Sequence, residues 1–207
     1  MKPLLISLIS LTSLVTGFAA QAASTVDLSV TGLITPSACA PSLSNGGVYD
    51  LGKISASDLN ADQPTKLAVQ NLALAITCEA STLLAIEPRD NRLGSSYEEI
   101  PTRFGLGHVN GGIKLGYLYL RLNSIVADGV GMYPLGSTAS SGWAPTSLLS
   151  KDFLTSFTSV PTGSTPTPIR QLNADLQVTP TIAPANTLPL TEQMPIDGSV
   201  TLTMKYL

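Results

Sequence analysis

Short runs in which apolar and polar residues alternate restrict the fold of this chain more than any other feature. In the first run Val26, Leu28 and Val30 alternate with polar neighbours, and a period of two places side chains on opposite faces of a strand. Similar runs predict strands at 48–51, 67–77, 82–87, 114–122, 169–178 and 200–206. Turn signals such as Asn45-Gly46-Gly47 separate them. The sequence therefore predicts an all-β fold, a β-sandwich with Greek-key connections.

The sequence pattern does not decide the secondary structure of two segments. Within residues 147–157, Leu149, Phe153 and Phe157 lie at helical spacing, but the surrounding serine and threonine residues favour a strand or loop. A short helix at 55–59, with Ser57 as its cap, is a weaker alternative. Residues 89–99, 128–145 and 160–168 are predicted to be polar connections.

The first 22 residues have the pattern of a secretory signal peptide. Lys2 precedes an uncharged apolar stretch, and Ala20-Gln21-Ala22 fits the small-x-small cleavage site. The stretch is shorter than the roughly 20 residues that span a bilayer, although a retained N-terminal anchor is the alternative. We expect residues 1–22 to be removed during export, leaving residues 23–207 as a single domain.

The charge composition argues against two classes of partner. Only 12% of residues are charged, the net charge is −3 and the isoelectric point is near 5.0. Proteins that bind nucleic acid or anionic membranes usually carry a strong basic excess. We therefore expect neither partner.

Cys39 and Cys78 are the two cysteines of the chain. Two cysteines in an exported protein usually pair, and closing a loop of this length stabilises a fold by about 4 kcal/mol. A metal site and a reactive thiol are the alternatives, but two thiols and one histidine fit no usual zinc spacing. We predict a Cys39–Cys78 disulfide.

The polar motifs give no sign of catalysis. His108 is the one histidine and lies beside a glycine turn, while Glu98 and Glu99 are adjacent and suggest a solvated loop. A nucleophile needs a base and an orienting group, and the sequence suggests neither. We expect no enzymatic activity, no cofactor and no metal. Tyr133 and Trp143 are a speculative sugar platform; the simpler interpretation is that Trp143 closes one end of the core.

Four segments resemble the subunits of chaperone–usher pili. They are Val30–Cys39 with Gly32 seven residues before the cysteine, Tyr49–Ile54, Leu72–Cys78, and Gly198–Leu207 with a penultimate tyrosine. The stretch Ala38–Gly47 also resembles an uncharacterised family of periplasmic pilin-like proteins, from which no function follows.

The pilin resemblance implies an immunoglobulin-like sandwich that lacks its last strand. Residues 23–35 would then form a donor extension that fills the groove of a neighbouring subunit. Its donor positions are Val26, Leu28, Val30, Gly32 and Ile34. The acceptor edge that first pairs with a chaperone is Val200, Leu202, Met204, Tyr206 and Leu207.

The same resemblance implies partners and a location. The partners are a periplasmic chaperone, an outer-membrane usher and other subunits or a second copy, and the location is the periplasm and then the cell surface. One departure is that only residues 23–31 precede Gly32, a shorter donor than in many pilins. A monomeric periplasmic sandwich that binds an unknown partner, and a minor or tip carbohydrate-binding subunit, are the alternative functions.

Overall fold

The computed structural model describes residues 28–31, 38–138 and 141–207. The chain divides into two compact units, Met1–Ile34 and Thr35–Leu207. In the first unit, residues 28–31 form no strand, and the side chains of Leu28 and Val30 are exposed. The predicted leader and the donor positions Val26, Gly32 and Ile34 lie outside the described residues, so the boundaries at 22 and 35 stay predictions.

Over residues 38–138 and 141–207, the second unit consists of β-strands joined by turns and three short 3-10 helices. Its strands are β1 (Cys39–Leu43), β2 (Thr65–Lys66), β3 (Gln70–Thr82), β4 (Leu84–Asp90), β5 (Phe104–Gly105), β6 (His108–Val109), β7 (Ile113–Lys114), β8 (Gly116–Ala127), β9 (Val130–Gly131), β10 (Tyr133–Ser137), β11 (Ala144–Pro145), β12 (Leu154–Thr158), β13 (Ile169–Ile182) and β14 (Val200–Tyr206). The 3-10 helices are Ser44–Gly47, Ala56–Asp58 and Ala185–Thr187.

The strands form two main sheets. The first sheet has the order β1-β3-β13-β8-β5, with β2 beside β13 and β9 beside β8, and the second has the order β11-β10-β12-β4-β14. The short strands β6 and β7 pair separately. Several neighbouring strands, such as β3 and β13 or β4 and β14, are distant in sequence, as Greek-key connections require. The predicted all-β sandwich is confirmed.

The alternation in the sequence determines which side chains form the core. In β3, Leu72, Leu74 and Ile76 are buried, whereas Thr77 is exposed. The longer strands β8 and β13 place their leucines on the same inner side. These residues and the buried side chains of β4 and β12 form one apolar cluster, so the two sheets pack face to face.

Several predicted boundaries differ from the structure. The strand at 200–206 is confirmed, and the segment 147–157 ends in the strand β12 and contains no helix. The strand predicted at 82–87 continues through Pro88 to Asp90. Proline has no backbone N–H to donate, so a strand tolerates it where the adjacent strand does not pair with it. Pro88 meets this condition, because β12 pairs with β4 only at Ile86.

Two expectations about strands and connections are wrong, and the short helix considered at 55–59 is present with a different cap. Residues 48–51 form no strand, because the segment has no ladder partner and Gly52 follows with a φ of 64°. The predicted connection 128–145 contains β9, β10 and β11. The turn near residue 56 is a 3-10 helix whose cap is Ser55, which accepts a hydrogen bond from Ser57 N.

Trp143 does not close the core. Its side chain is half-buried and lies outside the apolar cluster. It precedes β11, an edge strand of the second sheet. The expectation that a lone tryptophan fills the sandwich is therefore wrong, and Phe104 and Phe157 are the largest fully buried side chains in the described part of the chain.

The predicted disulfide is confirmed. Cys39 and Cys78 lie opposite each other on β1 and β3 and are bonded. Such bonds are typical of proteins that fold in an oxidising compartment. Within the described ranges, no helix has the length and apolar character needed to cross a bilayer.

Replacing both Cys39 and Cys78 by alanine should lower the free energy of unfolding. The disulfide closes a loop with a sequence separation of 39, for which chain entropy predicts a loss of about 4 kcal/mol. Urea unfolding followed by circular dichroism measures the loss. The wild-type protein in reductant is the control and should be destabilised similarly; unchanged stability in both would contradict the prediction.

Ile76→Ala should destabilise the sandwich by about 2–5 kcal/mol, because it leaves a cavity between the sheets. The Ile76 side chain is only 1% exposed. The matched control is Thr77→Ala, one residue along β3 on the exposed face, which should cost about 1 kcal/mol or less. Equal losses for the two variants, measured by urea unfolding, would mean that the assigned inner face is incorrect.

Candidate functional site

Each main sheet of the second unit ends in a strand that is paired on one side only. β1 ends the first sheet and pairs with β3, and β14 ends the second sheet and pairs with β4. An edge strand presents backbone N–H and C=O groups that have no ladder partner. A further strand could therefore pair at these edges.

An apolar groove of about 790 Å³ opens into the core beside β14. Side chains from β3, β8 and β13 form its floor, including Leu72, Leu120 and Leu176. One wall is the segment 43–59, and the other is the segment 190–202. We call this space the open groove.

The inner face of β14 is only partly covered. Val200, Leu202 and Met204 pack against the core, yet all three side chains remain half-buried. The facing strands β3 and β13 bury their inner residues much more completely. Apolar surface of β14 is thus available to a further strand inserted beside it.

Tyr206 joins the two sheets at one end of β14. Its hydroxyl accepts a hydrogen bond of 3.0 Å from the backbone N–H of Cys39 on β1. The lining of the open groove includes Leu202 but not Met204 or Tyr206. This contact, next to the disulfide, therefore bounds the groove, which extends from there toward residues 190–198.

An ion pair holds the wall at the other end. The Arg92 guanidinium donates two hydrogen bonds of 2.8 Å to the Asp197 carboxylate. The neighbouring Asn91 amide donates to the hydroxyls of Ser199 and Thr201. These contacts attach the irregular segment before β14 to the turn after β4. The hydrogen bond from Arg92 and its positive charge hold the pKa of Asp197 below its usual range, against partial desolvation.

The structure brings most of the predicted acceptor residues together. Val200 and Leu202 line the groove, Tyr206 marks its end, and Leu207 N donates to Leu83 O beyond β14. Of the predicted donor positions, only Leu28 and Val30 lie in the described part of the chain. The roles of both segments stay predictions.

The two aromatic residues of the speculative sugar platform are separated. Leu135 pairs with Pro145 and Gly136 with Ala144, so continuing this register places Trp143 opposite Ser137. Tyr133 is four residues from Ser137 on β10, a distance of about 13 Å along the strand. The role of these two residues in holding a sugar stays a prediction.

The polar motifs serve local structure. The Asp90 carboxylate accepts hydrogen bonds from the backbone N–H groups of Arg92 and Gly105. Asp128 accepts from the N–H groups of Arg170 and Gln171. His108 is exposed on the β6–β7 pair. Asp90 thus holds the turn after β4 against β5, and Asp128 holds the turn after β8 against β13.

Sequence reasoning placed Tyr49 in a strand and left the other wall residues in connections. Tyr49, Leu59, Leu190, Met194 and Ile196 all pack against the core without belonging to a strand. Their segments contain prolines or glycines and lack a regular period. The available signal was their apolar character in otherwise polar connections.

Comparisons with known proteins give relatives without a described activity. Residues 28–103 match a family described as "Protein of unknown function (DUF1120)". The chain is similar to "Uncharacterized protein YhcF" of Escherichia coli (strain K12), with 29% identity over 91% of this chain and 93% of the relative. It is also similar to "Protein GltF" of the same strain, with 27% identity over 93% of each. The similarity to these two proteins therefore extends well beyond the matched family segment.

The family match covers Ala38–Gly47, the stretch that resembles uncharacterised pilin-like proteins. These descriptions name no assembly, ligand or reaction. The pilin-like interpretation thus depends on the residues and geometry of this chain alone.

Asp197→Asn should remove a pH-dependent part of the stability. A carboxylate whose pKa is lowered by folding stabilises the protein above its unfolded pKa of about 3.9 and loses that effect as the pH falls further. The wild type should therefore melt at a higher temperature than the variant at neutral pH, and the difference should shrink below about pH 4.

Thermal melts across this pH range, at low and high salt, measure the effect. The ion pair is partly exposed, so salt should weaken it. The control Asp152→Asn removes an exposed carboxylate outside the five ion pairs of the described chain. Parallel pH profiles for wild type and Asp197→Asn would contradict the assigned role.

Proposed function

We propose that this chain is a non-catalytic, fimbria-like structural subunit that is exported to the periplasm and joined to its neighbours by strand exchange. A periplasmic chaperone first supplies a strand to the open groove, and at an outer-membrane usher the N-terminal segment of another subunit replaces it. The observation that carries the proposal is the apolar groove beside the unpaired edge of β14.

The addition of a strand would satisfy both the unpaired backbone groups of β14 and the apolar groove beside it. An extended segment beside β14 would form backbone hydrogen bonds with its free side, while every second side chain would enter the groove. Each aliphatic side chain fully buried in this way contributes about 1.5–3 kcal/mol. Leu202 and Val200 would lose solvent exposure in the same step.

The N-terminal sequence has the period that such a donor needs. Val26, Leu28, Val30 and Ile34 fall on one side of an extended chain, with polar residues between them. Gly32 lies in phase and has no side chain, which suits a point where donor and groove floor approach closely. The donor is short, so few side chains would enter the groove.

The disulfide and the groove wall are compatible with this route. Cys39 and Cys78 are bonded as expected after passage through an oxidising compartment. The Arg92–Asp197 pair holds the wall segment next to β14. Both features would prepare the acceptor before a strand arrives.

Leu28→Asp should prevent assembly, because a carboxylate would enter an apolar groove without a partner. The chain is co-expressed with a chaperone and an usher, and surface material is run on detergent gels with and without heating. Wild type should give a ladder that survives mild heating, and Leu28→Asp should remove it. The matched control is Ser29→Asp, which places the same charge one residue away on the other side of the donor and should retain the ladder.

Two outcomes would overturn the proposal. One is a ladder that Leu28→Asp leaves intact. The other is wild-type protein that remains a cooperatively melting monomer with the amides of residues 24–31 strongly protected from hydrogen exchange. The second result would favour a self-contained sandwich that binds some other partner.

A further inference from the structure

The outer face of the first sheet carries a cluster of tyrosines and cations near β8. Tyr117, Tyr119 and Arg121 alternate with the inward leucines of this strand. Tyr119 lies opposite Thr179, and Arg121 lies opposite Gln177, on β13. We call Lys66, Arg103, Tyr117, Tyr119 and Arg121 the Arg103 patch.

Two aromatic rings orient the Arg103 guanidinium. Its central carbon lies 4.6 Å from the centre of the Tyr117 ring and 5.0 Å from that of Tyr119. Its Nε donates a long hydrogen bond of 3.4 Å to Glu98. Among the described residues, the terminal nitrogens of Arg103 have no hydrogen-bond acceptor. The planar guanidinium is therefore held in place while its terminal N–H groups remain available to a ligand.

Further positive charge extends along the sheet. The Lys66 ammonium lies 6.0 Å from the centre of the Tyr119 ring, and β2 places it opposite Thr181. Thr181 is itself opposite Tyr117 on β8. Along β8, the backbone of Arg121 lies four residues from that of Tyr117, about 13 Å away. Two acidic groups lie nearby. Glu98 is paired with Arg103, and Asp175 lies two residues from Gln177 along β13.

Cations outnumber carboxylates in this cluster. Lys66, Arg103 and Arg121 lie beside the two tyrosines, against the carboxylates of Glu98 and Asp175. The patch is therefore locally positive on a chain whose net charge is −3. Such a contrast favours an anionic ligand at this face.

We propose that the Arg103 patch binds an acidic polysaccharide through the carboxylates of its sugar units. A guanidinium fork matches a carboxylate in two parallel hydrogen bonds. Lys66, Arg103 and Arg121 lie beside successive outward positions of β8, and several cations in a row suit charges repeated along a chain better than one small anion. Tyr119 and Gln177, which is opposite Arg121, supply polar groups for sugar hydroxyls.

A polysaccharide fits this face better than an anionic bilayer. A thin chain contacts only the patch, whereas a membrane surface also approaches the acidic remainder of the protein. The patch uses no residue that lines the open groove. This inference is consequently independent of the proposed strand exchange.

The test measures binding of the full mature protein to polygalacturonate by calorimetry at low salt, with neutral dextran as the uncharged comparison. Wild type should bind polygalacturonate and not dextran, and sodium chloride should weaken binding. Arg103→Gln should reduce affinity roughly tenfold or more, because a charge-assisted hydrogen bond is lost. Arg103→Lys should also weaken binding, since it keeps the charge but loses the fork.

The matched control is Arg170→Gln, which removes an exposed charge at the other end of β13 and should leave the affinity nearly unchanged. Thermal melts check folding, and Arg121→Gln replaces Arg103→Gln if the latter does not fold. Binding equal to that of dextran, or equal losses for Arg103→Gln and Arg170→Gln, would overturn the inference. So would binding to phosphatidylglycerol vesicles without binding to polygalacturonate, since the anion source would then be lipid.

Discussion

Burial of alternate leucines between two sheets is the interaction on which the rest of this structure depends. β3, β8 and β13 supply one side of the core, while β4, β12 and β14 supply the other. The contribution of β14 is incomplete, because its inner side chains remain half-buried beside an open groove. The same force that holds the sheets together thus leaves one unsatisfied apolar surface, which is where a binding partner gains most.

The groove keeps its shape through contacts at both ends. At one end, Tyr206 bonds to the backbone of Cys39 beside the disulfide. At the other, Arg92 holds Asp197 in the segment before β14. Neither contact fills the groove, and both fix strands or segments that border it. A groove that is already formed lowers the ordering cost of binding an extended chain.

Sequence patterns predicted the strands well where one face of a strand is buried. The alternation in β3 and β14 follows directly from the core and solvent on their two sides. The groove walls were not predictable in this way, because residues such as Tyr49 and Met194 pack against the core from irregular backbone. The Arg103 patch was also missed, since Lys66, Arg103 and Arg121 meet only through the pairing of β2, β13 and β8.

The hydrogen bond from Cys39 to Tyr206 links covalent maturation to the geometry of the last strand. The disulfide fixes one end of β1 against β3, and the backbone N–H of Cys39 at that end donates to the tyrosine hydroxyl. The ladder with β4 places β14 within its own sheet, so this hydrogen bond adds an attachment between the two sheet edges. Reduction of the disulfide would therefore loosen the contact between the edges without releasing β14 from its sheet.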